Sequence, residues 1–253
     1  MNWKIWVALM IVACLLLACW GSSVILSKLH GNSVSFFLAD FSAKFHVACH
    51  FPGSDYKVTR TWYDDKPKTY CVRLSSASSP DSSFSLAYNH IGVLVYNSYE
   101  EDVINKENTA IRLSSEYGAK VKDSLTSIPN FTMSFYQGRL DWKTADHPRD
   151  GTHCIISNEL DLDGVYDLAE LGSKAGILSI NIQAKSADAV TIENLAEILL
   201  SIRETLDQAN LPFYTIACRF YYSDHNDIRV SGLLYEDIYE EDFETRIYDA
   251  LII

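Results

Sequence analysis

The stretch from Gly176 to Tyr222 constrains the fold most. It reads as strand, helix, strand. Ile177, Leu178, Ile180 and Ile182 form an apolar run rich in β-branched residues, which suits a pleated and buried segment. Leu195, Ile198, Leu199, Ile202 and Leu206 recur every three or four residues, so they share one face of a helix. Pro212 cannot continue that helix and pushes the residue before it toward extended geometry. Tyr214 to Tyr222 is again aromatic and β-branched. A helical crossover between two apolar strands favours a parallel pair.

The same order of elements recurs along the chain. Phe37, Phe41 and Phe45 stand four residues apart, which predicts an amphipathic helix over 33–48, and Pro52-Gly53 breaks it. Tyr56–Tyr63 and Thr69–Ser75 read as strands joined by the turn Asp64-Asp65-Lys66-Pro67. Ser79-Pro80-Asp81-Ser82 reads as a helix start, Phe84–Asn89 as a short helix and Ile91–Tyr96 as a strand. A helix within 105–125 ends at Pro129, and strands follow at 131–136 and 153–158. A short capped helix is expected over 161–171, with Gly172 and Gly176 bracketing the return to strand. After the helix at 191–209, strands at 213–222 and 228–235 and a helix at 238–250 close the chain. Gly92-Val-Leu-Val lines up with Gly176-Ile-Leu-Ser, and Tyr70-Cys71-Val with His153-Cys154-Ile, each about 83 residues apart. The expectation is an α+β fold of tandem βαββα-type, ferredoxin-like units with mixed sheets and helices on one face, preceded by one transmembrane helix. The expected divisions are 1–27, 28–90, 91–175 and 176–253.

The N-terminal stretch carries its own constraint. Trp3 to Trp20 contains a single charge, Lys4, and apolarity resumes at Val24-Ile25-Leu26. About 20 apolar residues at ~1.5 Å rise can cross a hydrocarbon core. An uncleaved signal anchor fits, and so does a cleaved secretory signal. Leu16-Leu17-Ala18-Cys19 resembles a lipobox, in which Cys19 would be acylated. Each form places the bulk of the chain outside the cytoplasm, attached to or released from the cell membrane.

The net charge of −12 repels phosphate backbones and argues against nucleic-acid partners. Beyond the apolar stretch stand Cys49, Cys71, Cys154 and Cys218, an even number that would allow two disulfides in an oxidising compartment; there is no CxxC pair. Cys218 sits in an apolar strand, where a buried free thiol is the simpler reading.

The residues 159–170 carry the best local motif. Glu159, Asp161, Asp163, Asp167 and Glu170 occupy positions 1, 3, 5, 9 and 12 of a twelve-residue loop with Gly164 at position 6, the spacing of an EF-hand calcium loop. Glu at position 1, Leu160 and Leu162 inside the loop, and a strand-like lead-in depart from that pattern. The competing reading is a polar helix start, where acids satisfy free N–H groups and the dipole. The acids Glu236, Asp237, Glu240, Glu241, Asp242 and Glu244 read the same way. Asp and His residues recur in the hairpin connections: Asp64 and Asp65; Asp146, His147, Asp150 and His153; Asp224, His225 and Asp227. Histidine nitrogens with a carboxylate would suit a metal, though polar turn chemistry explains them more cheaply. Asn130-Phe131-Thr132 fits a glycosylation acceptor. No GxSxG, Walker A, HExxH or GxGxxG motif is present. The function expected is a membrane-anchored, non-catalytic binding or assembly module with a protein partner and no cofactor. The alternative is a metal-dependent hydrolase or calcium-binding protein using the acidic and His-bearing loops.

Overall fold

A computed structural model describes residues 31–126, 132–145, 153–223 and 226–252. The expected membrane segment 1–27, Cys19, Asn130, Asp146, His147, Asp150, Asp224 and His225 lie outside the described residues. No described helix is long and apolar enough to cross a membrane. The chain is a mixed α+β protein of two compact units, Met1–Ile104 and Asn105–Ile253.

In the first unit, helix α1 (Ser33–His50) begins at Asn32, whose side chain accepts a hydrogen bond from the Ser35 N–H at 2.8 Å. Its inward face is made of small residues, Ser35, Ala39 and Ala43, all buried. Four antiparallel strands form a meander beside it: β1 (Lys57–Asp64), β2 (Thr69–Ser75), β3 (Phe84–Tyr88) and β4 (Leu94–Asn97), in the order β1-β2-β3-β4. Alternation along β2 and β3 sends Tyr70, Val72, Leu74, Phe84, Leu86 and Tyr88 into one core. The short helix expected over Phe84–Asn89 is therefore a strand. Leu74↔Phe84 through Tyr70↔Tyr88 pair in unbroken register, and the apolar residues fall at period two. The helix start at Ser79–Ser82 is one 3-10 turn, Pro80–Ser82. A single turn of π-helix, Glu100–Ile104, closes the unit and buries Val103.

The second unit opens with α2 (Glu107–Leu125), followed by β5 (Thr132–Leu140), the short parallel pair β6 (Trp142–Lys143) and β7 (Ile155–Ile156), and α3 (Leu168–Ala175). Then come β8 (Gly176–Gln183), α4 (Ile192–Gln208), β9 (Thr215–Ser223), β10 (Asn226–Leu234) and α5 (Phe243–Asp249). The main sheet runs β10-β9-β8-β5. The strand, helix and strand of 176–222 are β8, α4 and β9, and the two strands are parallel, as a helical crossover requires. Leu178, Ile180 and Ile182 are buried against Leu195, Leu199 and Ile202 of α4 in one core. Strand β5 pairs antiparallel with β8 from Thr132↔Gln183 to Leu140↔Gly176. The segments 91–175 and 176–253, expected as separate ferredoxin-like units, thus contribute to a single sheet. The physical division falls at 104/105, because the strand at 94–97 pairs backward with β3. Of the four cysteines expected to allow two disulfides, Cys49, Cys71 and Cys218 are free thiols, and Cys154 is buried.

Candidate interaction surface

The acidic loop resolves into three separate local structures. Glu159 ends a 3-10 turn, Ser157–Glu159. Asp161 anchors the next turn, its carbonyl accepting from the Gly164 N–H at 2.9 Å and its own N–H donating to the Tyr166 hydroxyl at 2.6 Å. Asp163 adopts a left-handed backbone, with φ of 58°. Asp167 caps α3, accepting from the Ala169 N–H at 2.9 Å, and Glu170 sits in that helix's first turn. Among the described residues, no group of three or more His, Cys, Asp or Glu side chains is placed to hold a metal ion.

Several of the other acidic and His positions are held by local partners. Asp227 accepts from Arg219 at 2.8 Å and Arg229 at 2.6 Å, and these hydrogen bonds, Arg229 first, hold its carboxyl below the usual range. The His153 ring stacks on Tyr214 with centroids 3.9 Å apart. Asp237 accepts from the Leu234 N–H at 3.1 Å and pairs with Arg246, which also binds Asp242 at 2.8 Å. Glu240, Glu241 and Glu244 line an open groove of about 560 Å³ together with Glu193 and Glu197.

What stands out is apolar and lies in the first unit. Phe37, Phe41 and Phe45 on α1 are 67%, 59% and 64% exposed, and Val34 joins them at 69%. These positions follow one another at three- and four-residue steps, so they form one stripe on the side of α1 away from Ser35, Ala39 and Ala43. The β3–β4 connection lies along the same helix. The Ser35 hydroxyl donates to the His90 carbonyl at 2.7 Å, and the Ser42 hydroxyl to the Gly92 carbonyl at 3.1 Å. Asn89 shapes this turn, its side chain accepting from the Ile91 and Val93 N–H groups at 3.1 and 3.0 Å. Gly92 has φ of +81°, a conformation that strains other residues, and a Cβ there would stand 3.2 Å from Ser42 Oγ and 3.3 Å from Leu38 Cβ, so glycine suits this close seat. The turn carries Ile91 and Val93, both exposed, to the flank of the stripe.

Strand β4 continues from that turn. It is the last strand of its sheet, and Leu94, Val95, Tyr96 and Asn97 are all exposed. At the opposite edge, β1 carries Lys57 and Arg60 and a bulge between Val58 and Arg60. In the second unit, the edge strand β10 is covered at Val230 by a bridge to Leu251. Natural sheets guard edges with charge, bulges or covering chain, and monomers rarely expose contiguous apolar patches. Strand β4 is short, at four residues, and bulged opposite Ala87 and Tyr88, and it carries no charged residue.

Charge divides along the chain in the same way. Residues 1–104 carry eight Lys and Arg against eight Asp and Glu, so the whole net charge of −12 belongs to 105–253. The sequence signal for this surface was the Phe37, Phe41, Phe45 spacing. Its outward orientation was hidden, because spacing alone does not say which face is buried.

Residues 116–248 match the family model described as the YfjL-like C-terminal domain, which spans most of α2 through α5. No curated protein matches the sequence. A crystal structure of a DUF5037 family protein from Ruminococcus gnavus ATCC 29149 aligns over 82% of this chain and 86% of that one, at 12% identity. The TM-score of that alignment is 0.23.

Proposed function

We propose, for a chain that belongs to the YfjL-like C-terminal domain family, the role of a membrane-attached, non-catalytic binding module of the cell envelope whose protein partner adds a strand at β4. The apolar run 3–26 supports attachment, as a span or through acylated Cys19, with residues beyond it outside the cytoplasm. The observation that carries the binding role is the edge position of β4, exposed over all four residues and continuous with Ile91 and Val93. In strand addition, main-chain hydrogen bonds supply affinity and alternate side chains supply specificity. The apolar and uncharged sequence Ile91 to Tyr96 suits that mode.

The test is capture from detergent-solubilised membranes with the full chain as bait, comparing the native protein with Val95→Lys. The substitution puts a charge on an exposed edge position, where folding tolerates it to within about 0.5 kcal/mol. A partner retained by the native chain and lost from the variant supports strand addition. Identical sets of bound proteins refute it. Carbonate extraction tests the attachment. Release into the supernatant refutes it, and a mobility change in Cys19→Ser favours the acylated form.

A further inference from the structure

We propose that the Val34, Phe37, Phe41 and Phe45 face of α1, flanked by Ile91 and Val93, lies against a lipid bilayer surface with its rings among the upper acyl chains. This rests on the membrane attachment proposed above and names what covers the apolar stripe. Three observations favour lipid over other occupants.

The first is tethering. The apolar run ends at Leu26, and only residues 27–32 separate it from the first residue of α1. Six residues reach at most about 20 Å when fully extended. If the run is in the bilayer, the start of α1 is held within that distance of it.

The second is the shape of the stripe. From Val34 to Phe45 the helix advances about 16 Å at ~1.5 Å per residue. The stripe positions carry no charge, and the opposite face is already committed to the sheet through Ser35, Ala39 and Ala43. Here the sheet takes the place of the polar face of a free interfacial helix, and an exposed apolar side of this length can sink by about 5–10 Å into the headgroup and acyl boundary.

The third is charge. Anionic headgroups repel an acidic surface, yet the first 104 residues are balanced and the stripe is neutral. The repulsive charge belongs to 105–253, away in sequence from the segment that would touch lipid.

The experiment uses the full chain with the photoreactive residue benzoylphenylalanine replacing Phe41. The chain is reconstituted into phosphatidylcholine vesicles whose acyl chains carry an alkyne tag. Phe41→benzoylphenylalanine keeps an aromatic ring at an exposed site, so the fold is not at risk. Lys120, exposed on α2, gives the control Lys120→benzoylphenylalanine. On irradiation, position 41 is expected to capture lipid about tenfold more than position 120, the contrast between a ring in the interface and one in water. Equal capture at the two positions overturns the proposal. So does a covalent dimer in place of the lipid adduct, which assigns the stripe to a second copy. Repeating the irradiation in native membranes tests a protein occupant, and a protein adduct replacing lipid at position 41 overturns the proposal as well. Carbonate extraction of the same vesicles separates the two readings. Release refutes attachment and the tethering argument with it, whereas retention without a lipid adduct overturns the present proposal alone.

Discussion

Tyr117 offers the sharpest test of how the second unit holds together. It lies on α2 and is fully buried. Its hydroxyl donates to the Pro212 carbonyl at 2.8 Å, tying α2 to the segment that leads into β9. Burial pushes the phenol above its ordinary value, so the group is a neutral donor at any working pH. Two glycines border the ring: a Cβ on Gly172 would collide with the Pro212 carbonyl and stand 2.7 Å from Tyr117 Cε2, and one on Gly176 would stand 2.5 Å from the Gly172 carbonyl and 2.8 Å from the Tyr117 hydroxyl. Tyr117→Phe keeps the ring and removes the donor. Pro212 is half-buried, so water only partly replaces the lost bond, and the cost is about 1–2 kcal/mol. Tyr117→Ala also removes the ring from a packed core and costs about 3–5 kcal/mol. The assay is hydrogen exchange by mass spectrometry on the full chain in detergent, which resolves the two units. For Tyr117→Phe, exchange in β8 and β9 should accelerate roughly 5- to 30-fold, with β2 and β3 unchanged. Acceleration below about twofold would mean that the hydroxyl contributes nothing net. Equal acceleration in β2 and β3 would show that the units unfold together, and the local argument would fail.

Three further outcomes follow from single sites. The Asp55 carboxylate accepts from the Ser76 hydroxyl and from the Ser78 and Ala77 N–H groups, which hold it down to about 2. A depressed value means that its contribution is full above the ordinary carboxylate range and is lost as pH falls through about 2, so Ser76→Ala should raise the Asp55 midpoint in an NMR titration. Burial pushes the Cys218 thiol up to about 12, so alkylation at pH 8 should modify exposed Cys49 and spare Cys218 until the chain is denatured; equal labelling would contradict the packing of β9. The Arg203 guanidinium sits 3.9 and 3.7 Å from the Tyr235 and Tyr239 ring centroids and donates to the Tyr235 carbonyl. Arg203→Lys loses the planar stack and should cost about 1–2 kcal/mol, seen as faster exchange in the last turns of α4 and in 236–239.

Strand β8 and helix α4 were legible because each carries its own periodicity, whereas the helix expected over 161–171 is α3 at Leu168–Ala175 and the strand expected over 153–158 is only Ile155–Ile156. Leu178, Ile180 and Ile182 alternate inward on β8, and Leu195, Leu199 and Ile202 stack on one face of α4. What could not be read was pairing between distant segments. That Leu140 opposes Gly176 is a property of the folded sheet, and nothing local in 132–140 names its partner. Repeat reasoning therefore assigned β5 and β8 to different units. Phe84 to Tyr88 failed for another reason. Five residues after a Ser-Pro-Asp-Ser start satisfy a helix cap as readily as a strand, and only the register with β2 decides. Gly172 and Gly176 read locally as punctuation around α3, while in the fold they let backbone carbonyls of Pro212 and Gly172, and the ring of Tyr117 more than fifty residues away in sequence, approach closely. The acidic loop's spacing suits calcium or capping equally in sequence, and in the fold Asp167 caps α3.

The phenylalanine stripe shows how the same pattern supports opposite meanings. Spacing at three and four residues identifies a helix and one apolar face, and a soluble domain would ordinarily bury that face. Helix α1 instead turns Ser35, Ala39 and Ala43 toward the sheet. Small side chains let a helix lie close to its support while leaving little apolar area to bury there. Three phenyl rings, each worth about 1.5–3 kcal/mol when fully buried, are left mostly in water. Folding of the first unit gains little from that face, so the transfer energy is available to whatever covers it. Replacing Phe37 and Phe45 by Ser should thus leave exchange in β2 and β3 nearly unchanged, since exposed positions alter stability by about 0.5 kcal/mol or less. The same change should sharply reduce lipid capture by benzoylphenylalanine at position 41. Loss of β2 and β3 protection in that variant would show that the rings support the fold, and the reasoning from their exposure would fail.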